Sequence, residues 1–550
     1  MTVNVKIKRA IRAVAFFLLL FFVLYTVQDL VTAKYDWPSR NRRSTKSVTS
    51  VFNEPANTLD VIYLGGSQTF CSISPMNIYR DTGIRSYNLA TVGQRVPVGY
   101  YLLKAAMAKQ SPKLVVADAS GFFYTEKQVR SSVSMWRSVI DSIPFRFLKG
   151  KLEMIDGLAE LTGKTGDLTF KLETLIPMMR YHSKYLLERE NYLRLHLDQV
   201  YQRKGYVATP NVVPAKAEVK AAAAALLEGT DPSQSDETEL DTLDKALAFN
   251  EPYLRMLNQL CQENGSQLVF IKVPVCADSS ERGYWSLRKH DMIAALAEDM
   301  GVVFWDMNYL DPEEVGLDWS RDSHDGDVHL NYNGAKKVSA CLGRWLAENY
   351  SFEDNGDEKL KAQWDYQEQL FFHEMEYYDL AMELDLTRYL QRVQDGNYTL
   401  FTAVSGGVGE YWTDEDQKLF EEVTGSRLDL RQPENAAYVC ASSDGKVILE
   451  KADPKACSCD AKLDDGLVYS MASKKGNADK NGTISIWGAD YSCKGQGIHF
   501  VVYDNELKCA VESACFNTTN KARPASHSRK HQSVMKENLI EYVYKVIKKM

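Results

Sequence analysis

The chain has 550 residues, 45% of them hydrophobic, with a formal net charge of −8. That length exceeds one ordinary domain and allows sizeable cores. The charge is spread through the sequence, and the body of the chain has no long basic stripe interleaved with aromatics, which argues against nucleic acid as a partner.

The first segment concerns the compartment. Lys6, Lys8, Arg9 and Arg12 precede an unbroken apolar run from Ala13 to Val27, which thins out through Gln28 and Asp29 to Ala33. It reads as a transmembrane anchor with its basic side inside, or as a secretory signal with Val31-Thr-Ala33 as cleavage site. The bulky Phe and Leu content favours the anchor, so the expected location is the cell membrane, single-pass, with the remainder extracytoplasmic. Residues 1–34 form the cytoplasmic tip and anchor, and the polar, basic residues 35–55 form a stalk.

From residue 56 strands and helices alternate. Strands are expected over 60–64, 86–89, 114–117, 268–273 and 302–305, with helices over 97–109, 251–264 and 286–300 and a last one from about 333 to 349. Short apolar strands separated by helices of this length imply an α/β domain over 56–350 with a parallel sheet covered on both faces. Residues 121–250 interrupt the pattern. Their first part is aromatic with helical period and includes His182; their second, about 206–244, carries an alanine run and an acidic Ser/Thr-rich stretch and is expected to be mobile. This insertion is expected to form a helical cap.

A helical bridge follows over 351–395. Over 396–520 the texture changes to short strands, 398–404, 437–440, 446–449, 483–487 and 499–503, separated by Gly, Asp and Asn, which predicts a β-rich domain. Residues 521–550 form a basic tail ending in an amphipathic helix candidate from Leu539. Six of the ten cysteines, Cys440, Cys457, Cys459, Cys493, Cys509 and Cys515, fall in this C-terminal part, and an exported domain is expected to pair some of them as disulfides. Cys457-Ser-Cys459 lacks the two-residue gap of a zinc site, so neither metal nor other cofactor is expected. Cys71, Cys261, Cys276 and Cys341 sit among apolar residues and read as small buried side chains.

Two stretches carry candidate chemistry. Asp60-Val-Ile-Tyr-Leu-Gly-Gly-Ser67 puts a serine at the mouth of the first strand, where sites of parallel sheets form; the competing role for Ser67 is a helix N-cap. Asp325-Gly-Asp327-Val-His329-Leu-Asn331-Tyr-Asn-Gly334 offers an imidazole with two nearby carboxylates. A serine hydroxyl becomes a nucleophile when an imidazole takes its proton and a carboxylate holds that imidazole in the right tautomer. His329 can also be a surface histidine, and His324 competes with it but lacks the Leu-Asn-x-x-Gly continuation. Lys272, at the end of a strand, either points into the site or is solvated, and His182 is a further candidate for the site lining.

Leu64-Gly-Gly-Ser67, Tyr87-Asn-Leu-Ala-Thr-Val-Gly93-Gln and Asp327-Val-His329-Leu-Asn331-Tyr-Asn-Gly334-Ala resemble blocks one, two and five of the SGNH (GDSL-type) hydrolases, over about residues 56–350. The likeness is to the membrane-anchored bacterial branch that includes alginate O-acetylation proteins and the D-alanyl transfer protein of teichoic acids. It implies a flavodoxin-like sheet, Ser67 as nucleophile and backbone oxyanion donor, Gly93 as a second donor, and His329 as base. It further implies Asp327 as orienter, with Asp325 as the fallback, since Gly326 stands where many members carry the aspartate. The block-three asparagine has no counterpart, and Val115-Val-Ala-Asp118-Ala-Ser120 offers only Asp118 or Ser120. Gly495-Gln-Gly-Ile-His-Phe-Val-Val-Tyr-Asp504 is similar to the interleukin-like EMT-inducer domain, which implies carbohydrate or partner binding. The resemblance thus implies a serine esterase or O-acyltransferase, acetyl being the expected group, acting on a cell-surface polysaccharide; transfer would require a multi-pass membrane acyltransferase as partner. The alternative is a non-catalytic surface-glycan binding or assembly protein with a decayed site.

Overall fold

The computed structural model describes residues 3–31, 48–181, 203–214, 237–275, 287–326, 328–352, 356–476, 482–506 and 508–527. The chain divides into two compact units, Met1–Phe371 and Phe372–Met550. The change of unit falls inside the helix Glu358–Ala381 of the expected bridge.

The first unit is built on five parallel strands: β1 (Val61–Leu64), β2 (Ser86–Asn88), β3 (Leu114–Asp118), β4 (Gln267–Lys272) and β5 (Val303–Asp306), in the order β2-β1-β3-β4-β5. The first strands are buried on both faces, which is why they read as continuous apolar runs rather than as alternation. On one face Val61, Tyr63, Val116, Val269 and Ile271 pack with Ile78 of helix Pro75–Thr82 and with Leu342 and Leu346 of helix Tyr332–Asn349. Helices Val96–Ala106 and Glu237–Glu263 pack together, the latter also against β4. In a sheet of this order the connection after β1 goes to one side, to β2, and the connection after β3 to the other, to β4, which opens a crevice between β1 and β3 at their carboxyl ends.

Helix Glu237–Glu263 begins upstream of the expected start at residue 251, although Pro252 lies inside it. An interior proline removes one helical hydrogen bond. Two residues before it, buried Asn250 ties the helix to its surroundings, its amide donating to the carbonyls of Ala246, Phe122 and Tyr124. The first part of the insertion is helical as expected, from Glu126–Ser131 to Pro177–Tyr181. His182 and residues 215–236 lie outside the described residues. Residues 206–214 differ from the expected mobile stretch. Tyr206, Val207 and Ala208 are buried, and with the residues just before them, as the segment 203–214, they are bonded to the sheet domain at four points: Asn88 N to Lys204 O, Val207 N to Phe70 O, Tyr332 N to Thr209 O and Val213 N to Ser323 O. The apolar Tyr-Val-Ala triplet, diluted in an acidic and alanine-rich surrounding, is what holds it. Gly205 is obligatory there, with φ +84 and the Asn88 carbonyl oxygen 1.8 Å from where a Cβ would stand. Lys204 is buried, with its Nζ 2.8 Å from both carboxylate oxygens of Glu54.

Among the described residues no helix is long and apolar enough to cross a membrane. Helix Val3–Val31 leaves Phe16, Phe17, Leu18 and Leu19 each more than half exposed.

The second unit is a curled ten-stranded sheet, β6 (Tyr398–Ser405) to β15 (Ala525–His527), antiparallel except for one parallel bridge, Lys474 with Ser405. Leu400 and Val404 of β6 face helices Leu386–Gln394 and Asp414–Thr424, while Phe401 and Ala403 face Tyr469, Met471 and Ile484 inside the curl. The helix Asp414–Thr424 escaped the strand-like reading of this region, yet it carries a capping box at Thr413 and a left-handed glycine stop at Gly425. The expected disulfides are not formed. No disulfide joins the described cysteines; five of the six C-terminal ones lie on strands as small sheet side chains, and buried Cys493 lies in the loop before Gly497–Asp504. Burial pushes the Cys440 and Cys509 thiols up to about 12. Residues 528–550, with the Leu539 helix candidate, lie outside the described residues.

Candidate active site

The turn after β1 brings Ser67 to the crevice. Gly65 has φ +155, and a Cβ there would meet the Thr69 hydroxyl at 2.0 Å and the Asp118 Cβ at 3.0 Å, so only glycine closes this turn. Gly66 is the helix N-cap and Ser67 the first residue of helix Ser67–Ser72, with no side-chain cap bond. The N-cap role for Ser67 is thereby set aside, and its hydroxyl is available to another partner.

That partner is His329, whose Nε2 lies 2.7 Å from Ser67 Oγ. The other ring nitrogen, Nδ1, lies 2.5 Å from Asp325 Oδ2, and the second oxygen of the same carboxylate accepts the His329 backbone N–H at 3.2 Å. Hydroxyl, imidazole and carboxylate thus stand in a line, from residues 262 positions apart in the chain. The orienter in this arrangement is Asp325, four residues before the histidine; Asp327, the expected one, lies outside the described residues. Gly326 accounts for the displacement. Its φ is +77 and its Cβ position is 3.2 Å from the Pro214 carbonyl oxygen, so an aspartate there would be strained, and the turn points its predecessor at the ring.

The histidine loop is fixed from beneath. The hydroxyl of Ser323 donates to His329 O and accepts from Gly326 N, and Ser323 pairs with Leu330 in an isolated antiparallel bridge. Buried Asn331 caps helix Tyr332–Asn349 through Gly334 N while its amide donates to the carbonyls of Asn211, Arg321 and Ser323. The conspicuous Asn-x-x-Gly continuation of the motif is therefore a splint. The His329 and Asp325 side chains keep about a quarter and a third of their surface exposed.

Gly93, the expected second oxyanion donor, lies in the turn Thr91–Gln94 with φ +54. Gln94, buried, ties this turn to the serine turn: its Oε1 accepts from Gly65 N at 2.9 Å, and its Nε2 donates to Leu89 O. Arg95, unremarked in the sequence, donates to Gly93 O and lies 3.3 Å from the centre of the Tyr124 ring. Only the short Gly-Gln-Arg run could have signalled these roles.

Asp118, Ser120 and Lys272 come together below the serine helix. Asp118 accepts from the Thr69 hydroxyl at 2.7 Å and from Ser120 N at 3.0 Å. Lys272 is fully buried, which corrects the solvated reading; its Nζ is 2.7 Å from Gln68 Oε1, 2.8 Å from Ser120 Oγ and 4.0 Å from Asp118 Oδ1. Burial lowers the pKa of its ammonium, and the Asp118 and Asp306 carboxylates oppose that shift. Gln68 is the member of this cluster that sequence reasoning missed.

His324, Asp325 and His329 each offer one ligand atom, all within 4.8 Å of one another. Two of the three, His329 and Asp325, already form the line that ends at Ser67. Comparison with protein-family models and with curated proteins gives no match.

Proposed function

We propose that the chain is an extracytoplasmic serine esterase or O-acyltransferase of the SGNH type, held to the membrane by its N-terminal helix and acting on acyl groups, acetyl in the first place, of a cell-surface polysaccharide. The observation that carries this reading is the line Ser67 Oγ, His329 Nε2, His329 Nδ1, Asp325 Oδ2, with contacts of 2.7 and 2.5 Å. Further support comes from the strand order and from the place of Ser67 just beyond β1. The exposed apolar side chains of helix Val3–Val31 and the basic residues before them support the anchor.

In the reaction Ser67 Oγ attacks the ester carbonyl carbon while its proton passes to His329 Nε2. The carbonyl electron pair moves to oxygen, and Asp325 stabilises the imidazolium through Nδ1–H. Collapse breaks the bond to the leaving alcohol, which takes the proton from Nε2, and leaves acyl-Ser67. A glycan hydroxyl or water then repeats the sequence in reverse, His329 acting as base. Transfer and hydrolysis share this first half; a transferase would receive its acyl group from a multi-pass membrane partner.

The test uses the full chain in detergent with an aryl acetate and a fluorophosphonate. Turnover, with covalent labelling that Ser67→Ala removes, is the expected result. Neither turnover nor labelling, with retained binding of an acidic or acetylated glycan, would leave a non-catalytic surface-glycan binding protein as the better description.

A further inference from the structure

We infer that the side-chain amide of Gln68 is a catalytic hydrogen-bond donor to the oxyanion, its orientation set by Lys272; this rests on the serine-esterase reading. Gln68 follows the nucleophile on the first turn of its helix and is 4% exposed. Its side chain reaches the carboxyl ends of the neighbouring strands, where Oε1 meets Lys272 Nζ at 2.7 Å, at the end of β4, and Ser120 Oγ at 2.9 Å, just past β3.

Which end of the amide faces the lysine follows from chemistry. An ammonium group only donates, so the atom 2.7 Å from it is the oxygen. Turned over, the amide would set two N–H groups against a fully buried cation. Ser120 reinforces the choice: its hydroxyl accepts from Lys272 and gives its single proton to Gln68 Oε1 or to Asp118 Oδ1. The nitrogen is therefore held on the side away from the lysine.

Among the described residues that nitrogen has no acceptor, whereas the oxygen of the same amide has two donors within 2.9 Å. Nor is it among the fully enclosed polar atoms without a partner. A nearly buried donor left open is destabilising, and an acceptor arriving in the crevice removes that cost. Its neighbour in sequence is the serine whose attack creates a negatively charged oxygen. Lys272 supplies the polarisation while staying buried behind the amide, and Ser120 and Lys272 act as positioning residues.

In the first half-reaction the developing O⁻ accepts from a Gln68 N–H, alongside the backbone donors. No proton leaves the amide, and the bond is given up when the oxygen re-forms the carbonyl. Such a donor is worth about 100-fold to 1000-fold in kcat because it acts where charge develops.

The decisive variants are Gln68→Ala and Gln68→Glu, assayed as the full chain in detergent with an aryl acetate. Gln68→Glu keeps the shape and the pairing with Lys272 but has no donor. Both are expected to lower kcat by about 100-fold or more, with KM within about threefold. Lys272→Met, which frees the amide to turn over, is expected to lower kcat by about tenfold, with Ser67 still labelled by fluorophosphonate. A Gln68→Glu chain that melts like the parent and retains its kcat within about threefold overturns the inference. Should Gln68→Ala fail to fold, Gln68→Glu decides alone. A parent chain with neither turnover nor labelling defeats the esterase reading itself, and this inference with it; an active parent with an active Gln68→Glu defeats only the inference.

Discussion

Asp325 and His329 are joined twice, through the carboxylate to Nδ1 and through the same carboxylate to the backbone N–H of His329. The double contact fixes both the tautomer and the position of the loop that carries the ring. Asp325→Asn is therefore expected to lower kcat on an aryl acetate by about 100-fold to 10,000-fold. Asp327→Asn should stay within about threefold of the parent, since Nδ1 already has its carboxylate. The reverse order of effects would return the orienting role to Asp327.

The segment 203–214 holds the site from the side, and its attachment is steric as well as polar. Gly205→Ala drives a methyl group into the Asn88 carbonyl oxygen. Glu54→Gln leaves the Lys204 cation facing a neutral amide while still buried; burial already lowers the pKa of this lysine, and Glu54 opposes that. Breaking such a pair costs about 3–5 kcal/mol. Denaturant titration should show a loss of that order for Glu54→Gln, together with a lower kcat. Unchanged stability in both variants would show the segment to be dispensable.

The second unit carries its own acid sensitivity. Burial lowers the His499 imidazole from 6.5 to about 4, while Nε2 bonds the Gly495 carbonyl. Since the folded value is depressed, the unfolded chain binds more protons between these values. Stability is full above about pH 6.5 and falls as the pH drops towards 4, by up to about 3 kcal/mol. His499→Gln should flatten that part of the stability profile in urea titrations at several pH values. An unaltered slope would place the sensitivity in another group.

The donor set His324, Asp325 and His329 matches what zinc and copper ions take. A metal bound there competes with the imidazole of His329 for the Asp325 carboxylate and draws electron density from the ring, weakening it as a base. Added Zn2+ is expected to inhibit esterase turnover reversibly, with recovery on chelation. His324→Gln should keep the parent turnover and raise the inhibitory zinc concentration by about tenfold or more. Inhibition that is identical in the variant would put the ion elsewhere.

The doubly buried strands were readable to within a residue or two because burial on both faces leaves a short apolar run between polar or turn-forming residues, as in Val61–Leu64 and Leu114–Asp118. That Ser67 and His329 belong together was suggested by their motifs, and the structure sets them 2.7 Å apart. The choice between Asp325 and Asp327 was not, because it depends on the left-handed turn at Gly326 and on the chain at residues 213–214 that crowds it. Gln68 escaped notice because a glutamine beside Ser67 has no spacing signature; its partner is Lys272, 204 residues away. The strands Ala456–Lys462 and Val468–Lys474 were missed because their alternation uses Ser, Cys and Ala rather than large apolar residues. The cysteines misled in the other direction, being counted by compartment when their placement is that of ordinary sheet residues.

The four bonds of residues 203–214 run from the Asn88 strand end and the Phe70 helix to Tyr332 and Ser323. One continuous piece of backbone thus spans from the Ser67 half of the crevice to the His329 half. The gap between hydroxyl and imidazole is gauged by a ruler lying outside the sheet, so a shift of that ruler is felt at both ends of the gap at once.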